Sequence, residues 1–189
     1  MQRRKDSFEH RKAQATREKG LLIVNTGAGK GKTTAALGIA FRALGQGMKV
    51  GIVQFIKGAI PTGEAGFAQR LHGLLEMHTM GDGFTWNTQD RERDIASARR
   101  AWEKAVALLR DKSFQVVILD ELNIVLKYDY LPLEEVLAEL RGKREMLHVI
   151  VTGRNARPEL IELADLVTEM KLVKHPYREG IKPQRGIEF

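Results

Sequence analysis

Leu21-Leu22-Ile23-Val24 is a short apolar run that enters Asn25-Thr26-Gly27 and continues through Ala28-Gly29-Lys30-Gly31-Lys32-Thr33-Thr34. Helical spacing of apolar residues follows from Thr33 to Gly45. A buried strand, a glycine loop and a helix in that order are the context that makes Gly-Lys-Thr-Thr a Walker A phosphate loop rather than a glycine-rich turn that binds nothing. Glycines let backbone N–H groups turn toward phosphate oxygens, and the helix N-terminus adds positive partial charge. Lys32 neutralises further, and the Thr33 hydroxyl is placed to ligate magnesium. Counting back from Gly31-Lys32-Thr33, the usual first glycine falls on Thr26, and Gly27 comes one residue late.

The strand-then-helix alternation recurs. Val50 to Ile56, Val116 to Leu119 and Val149 to Val151 are apolar runs, and Leu74 to Met80 and Leu166 to Leu172 are weaker strand candidates. Runs that are apolar on both faces suit central parallel strands covered by helices. Gln89 to Arg110 has amphipathic helical spacing, and Pro132 sits where a helix starts. The expected fold is an α/β P-loop NTPase of RecA-like type: one doubly wound, mostly parallel sheet of five or six strands with helices on both faces. Ligands of such sheets bind beyond the carboxyl ends of the strands.

The length of 189 residues suits one such domain, whose core needs no covalent staple. The absence of cysteine excludes disulfides, thiolate metal sites and a cysteine nucleophile. Met1 to Asp6 is charged and leads into no apolar run, so neither a signal peptide nor a spanning helix is expected, and the expected location is cytoplasmic, away from membranes. The net charge of +7 raises a nucleic-acid reading. However, residues 1–19 carry seven basic against three acidic side chains, more than half of the excess. The remaining basic residues are interleaved with acids and do not alternate with aromatics as a base-stacking surface would. The chain divides into a basic arm, residues 1–19, and one domain, residues 20–189, with a polyanionic small molecule rather than nucleic acid as the expected ligand.

Val116-Val117-Ile118-Leu119-Asp120-Glu121 is an apolar strand ending in two carboxylates, the Walker B pattern, and a carboxylate there can hold magnesium directly or through water. Phe84 and Trp86 are two residues apart, so an extended segment would put both rings on one face, and Gly81 and Gly83 favour a loop over a core strand. His10, His72, His78, His148 and His175 show no ligand spacing and read as structural.

Taken with Val53-Gln54-Phe55-Ile56-Lys57-Gly58, Gly83-Phe84-Thr85-Trp86, Leu119-Asp120-Glu121-Leu122, Tyr128-Asp129-Tyr130-Leu131-Pro132-Leu133, Val151-Thr152-Gly153-Arg154 and Val173-Lys174-His175-Pro176-Tyr177, the phosphate loop resembles that of the ATP:corrinoid adenosyltransferases of cobalamin biosynthesis. The resemblance runs from about Gly20 to Phe189. It implies that cobalt(I) of a corrinoid attacks C5′ of ATP and that inorganic tripolyphosphate leaves. It implies ATP binding by Gly27, Ala28, Gly29, Lys30, Gly31, Lys32, Thr33 and Thr34 with Arg42 and Arg154, and magnesium or manganese held by Thr33 and Glu121. The catalytic set is then Lys32, Thr33 and Glu121. Phe84 and Trp86 match aromatics that crowd the lower face of the corrinoid and displace its axial base. Ala28 departs from the asparagine usual in the family, which bears on one polar contact to the nucleotide. The resemblance further implies a homodimer whose N-terminal arm covers the partner's site, and reduced flavodoxin or another flavoprotein as electron donor. The rival reading is a RecA-like ATPase acting on nucleic acid, which would release ADP and respond to DNA or RNA.

Overall fold

The computed structural model describes residues 9, 13–56, 62–71, 73–81 and 90–188. Six strands form one sheet: β1 Leu22–Thr26, β2 Val50–Gln54, β3 Leu75–Thr79, β4 Val116–Asp120, β5 His148–Thr152 and β6 Leu166–Glu169. Their order is β3-β2-β4-β5-β1-β6, and every pairing is parallel. The α-helices of six residues or more among the described residues are α1 Lys32–Gly45, α2 Gly63–Ala68, α3 Arg91–Arg110, α4 Leu122–Lys127, α5 Leu133–Arg141 and α6 Pro158–Leu163. A parallel strand must be reached by a crossover, which is why helices intervene and cover both faces.

The period of two along the strands sorts the core into two clusters. Ile23, Ile52, Ile118 and Ile150 point to one face, where Ala36, Ala40 and Ala43 let α1 approach closely. Leu22, Val24, Val53, Val117, Leu119, Val149 and Val151 point to the other, under α3, α5 and α6. Helix α3 buries Ala98, Ala101, Trp102, Ala105, Leu108 and Leu109 as one stripe. Its start is fixed by Asp90, whose side chain accepts from the Arg93 N–H at 3.1 Å, so the helix begins at Arg91; Gln89, the expected start, lies outside the described residues. Pro132 stands directly before α5, as its fixed φ favours.

Strand bounds differ from the apolar runs where backbone groups are claimed elsewhere. The ladder of β6 ends at Glu169, short of Leu172, because the Met170 carbonyl turns to accept the Gly29 N–H at 2.6 Å. All four residues of β6 are exposed, which explains their weak apolar signal. The paired part of β2 ends at Gln54, two residues short of Ile56.

The strand registers align the carboxyl edge. Thr79 is opposite Gln54, Gln54 opposite Asp120, and Asn25 opposite Thr152. Asp120 and Thr152 follow the matched pair Leu119 and Val151. Each is two residues beyond a residue that faces α1, so a polar row crosses five strands directly past the apolar one.

Candidate active site

Strand β1 delivers the chain to the phosphate loop at this polar edge. Gly29 has no room for a side chain, since a Cβ there would lie 2.7 Å from the Lys171 carbonyl oxygen. Gly31 has φ 107°, a left-handed conformation that a glycine adopts without strain, and it stands at the N-cap of α1. The Gly29 N–H donates to the Met170 carbonyl, so that amide is directed to the chain after β6. The glycines at 27 and 29 therefore serve packing against the chain after β6, which accounts for the late first glycine.

Lys32 opens α1 and is 7% exposed. Its Nζ donates to the carbonyls of Gly27 at 2.9 Å and Gly29 at 2.5 Å, curling the loop around the ammonium. Burial pushes its pKa below the ordinary lysine value; Glu121 opposes the shift, the charges of Arg154 and Lys30 add to it, and Asp120 opposes it again. A bound polyanion would relieve this shortage of negative charge.

The next residue, Thr33, donates from Oγ1 to Asp120 Oδ1 at 2.8 Å. Asp120 is 1% exposed, and the same oxygen accepts the Thr152 hydroxyl at 2.6 Å while Oδ2 accepts from Gln54 Nε2 at 3.0 Å. Strand β5 lies between β1 and β4, so Thr152 bridges the two motifs, and its Oγ1 also accepts the Glu121 N–H at 3.0 Å. Glu121 holds φ 68° at the start of α4, a conformation uncommon for a residue with a side chain and costing about 1 kcal/mol or more. Strain kept at the edge of a ligand loop is the kind found at functional sites. Asn123 Nδ2 donates to the Gly153 carbonyl at 3.0 Å, tying α4 to the turn that carries Arg154.

The structure thus brings together Lys32, Thr33 and Glu121 with Arg154, whose charge acts on Lys32. Arg42 is exposed in the last turn of α1, ten residues from Lys32 and so about 15 Å along the axis, and it does not join the loop. Phe84 and Trp86 lie outside the described residues. Sequence reasoning missed Asp120 as the partner of Thr33, because two adjacent carboxylates carry no local signal of which one turns inward. It also missed Gln54 and Thr152, whose roles need the sheet register, and Glu188, which forms an ion pair with Lys30 across 158 positions.

The donors at this edge are hydroxyl and carboxylate oxygens, which suit a hard cation such as magnesium. Among the described residues no three His, Cys, Asp or Glu side chains cluster as a self-sufficient metal site.

Residues 18–189 match the family of ATP:corrinoid adenosyltransferases BtuR/CobO/CobP. The chain belongs to this family. Among curated relatives, the corrinoid adenosyltransferase of Pseudomonas aeruginosa is 54% identical over 189 residues, covering all of this chain and 93% of the relative. That of Escherichia coli is 50% identical over 188 residues, covering all of this chain and 95% of the relative. The corrinoid adenosyltransferase CobA of Salmonella typhimurium is 47% identical over 188 residues with the same coverage. As an adenosyltransferase family member the chain is placed among transferases, and these relatives give no support to a nucleic-acid-dependent ATPase.

Proposed function

We propose that this protein transfers the 5′-deoxyadenosyl group of ATP to the cobalt(I) of a corrinoid and releases tripolyphosphate. The observation that carries the reading is a buried, charge-deficient Lys32 inside a phosphate loop, in a chain that is 47–54% identical to corrinoid adenosyltransferases along its full length.

The nucleophile is the reduced corrinoid substrate, so the protein's work is to position C5′ and to stabilise the charge that develops on the leaving triphosphate. Lys32 supplies the central positive charge, and the N–H groups from Lys30 to Thr34 surround the phosphate oxygens. Gly27, Ala28 and Gly29 shape the loop, and Arg154 adds charge from the end of β5. Thr33 with Asp120 and Glu121 would hold magnesium, or manganese in its place. The cation, when bound, neutralises phosphate oxygens and so makes tripolyphosphate a better leaving group. Because the Thr33 hydroxyl donates its proton to Asp120, its lone pairs remain for a cation.

Within the same reading, Phe84 and Trp86 take the lower face of the corrinoid. Arg42, at the far end of α1, meets a nucleotide only by a route other than the loop. Residues 1–19 form an arm over the partner's site in a homodimer, and reduced flavodoxin or another flavoprotein supplies the electron in the cytoplasm. No helix among the described residues is long and apolar enough to cross a membrane.

Phosphorus NMR of an anaerobic reaction with ATP, magnesium, reduced corrinoid and protein tests the reaction class. Tripolyphosphate in step with corrinoid consumption is the expected product. ADP and orthophosphate formed without corrinoid dependence would overturn the proposal in favour of an ATPase.

A further inference from the structure

Gln54 is the last residue of β2 and is 1% exposed, in a central strand where the residue two positions earlier is a core isoleucine. Burying an amide costs free energy unless both of its ends are bonded. Here both are. Nε2 donates to Asp120 Oδ2 at 3.0 Å, and Oε1 accepts the Thr79 hydroxyl at 3.0 Å. The chemistry of the partners fixes this orientation: an ionised carboxylate only accepts, so the NH2 must face Asp120, and the hydroxyl then donates to the oxygen.

The two oxygens of Asp120 are thereby made different. Oδ1 takes two hydroxyl protons, from Thr33 and Thr152, and Oδ2 takes the amide. A partial turn of the carboxylate plane would strain all three bonds at once. The line Thr79, Gln54, Asp120, Thr33 therefore runs from strand β3 through β2 and β4 to the first turn of α1, and its donors converge on Asp120 from both ends. Isoleucine or leucine would fill the space at position 54 without the burial cost, so packing gives no reason for an amide there.

We propose that Gln54, oriented by Thr79, is a positioning residue that sets the Asp120 carboxylate, and through it the Thr33 hydroxyl, for magnesium-bound triphosphate. This rests on the functional reading above. Gln54 touches neither nucleotide nor cation, so its loss acts on the magnesium-linked part of nucleotide binding and not on the contacts of the loop itself.

The experiment is titration calorimetry of ATP into the full-length protein, once with excess magnesium and once with EDTA, for the wild type, Gln54→Leu, Thr79→Val and Thr79→Ser. The ratio of the two affinities is the readout. Gln54→Leu should lower that ratio by roughly tenfold, the scale of one hydrogen bond to a charged group, with the EDTA affinity held within about twofold. Thr79→Val should lower it in the same direction by less, and Thr79→Ser, which keeps the hydroxyl, should retain the wild-type ratio. The Thr79 pair decides the matter if Gln54→Leu does not fold. An unchanged ratio in Gln54→Leu or Thr79→Val, or both affinities falling together, would overturn the inference and leave the functional reading standing. Wild-type protein that binds ATP no better with magnesium than with EDTA would overturn the magnesium part of that reading as well.

Discussion

Lys32 shows how much one side chain can be asked to do. It is nearly buried, its partners among the described residues are neutral carbonyls, and burial holds its proton less firmly than in water. Such a group gains most when an anion arrives. Lys32→Ala should lower turnover by roughly 10²-fold or more and abolish the rise in thermal midpoint that ATP gives the wild type; near-normal turnover would remove the phosphate-loop role. Lys32 and Thr33 were legible because the motif fixes them by spacing alone. Asp120 was legible only as half of a carboxylate pair. Its selection over Glu121 as the Thr33 partner depends on Glu121 taking a left-handed backbone and on Thr152 arriving from β5, neither of which has a local signature.

At the scale of elements, the site exists because the strands end level with one another. The apolar runs announced all six strands, most plainly β1, β2, β4 and β5, where burial on both faces leaves near-continuous apolar residues. The exposed β6 was announced weakly for the opposite reason, and its true end is set by a bond to the phosphate loop that no period in the sequence encodes. That contact is testable. Gly29→Ala would press a methyl group against the Met170 and Lys171 backbone, so it should destabilise the protein by more than 1 kcal/mol and weaken ATP binding. Gly38→Ala, in the exposed middle of α1 with open space around it, should instead stabilise by about 0.5–1 kcal/mol, and urea midpoints of the two variants give the comparison. A neutral Gly29→Ala would mean that the loop is not clamped by the chain after β6. Arg42 is close to the loop in the sequence, and helix α1 sets it about 15 Å from Lys32 along the axis.

For the whole molecule, alternation and length sufficed for an α/β sheet with helices on both faces, and the order β3-β2-β4-β5-β1-β6 added what the sequence could not supply, the insertion of β5 between the two nucleotide motifs. Acid stability is a property at this scale. Burial and then the Lys143 charge push the His148 pKa below its ordinary 6.5, and its Nδ1 accepts the Leu21 N–H. The unfolded chain therefore takes up a proton that the folded one excludes, so this contribution is full above pH 6.5 and is lost as pH falls through the lower folded value. Glu76 is held below its ordinary 4.5 by Lys104 and His78. Asp165, although burial alone would raise it, is held below 3.8 by Lys19 and the Leu22 N–H. A second loss should follow in the carboxylate range. Urea midpoints should begin to fall below about pH 6.5, and in His148→Gln only in the carboxylate range; a wild-type midpoint that stays flat down to about pH 5 would contradict this. Adenosyl transfer to cobalt is read directly in the visible spectrum. Purified protein is incubated anaerobically with ATP, magnesium, a corrinoid and a reductant strong enough to reach cobalt(I), and the absorbance of a new cobalt–carbon bond is followed before and after illumination. An alkylcorrinoid that forms only with ATP and is destroyed by light is the expected product, whereas a corrinoid spectrum unaltered by ATP would rule out adenosyl transfer by this protein.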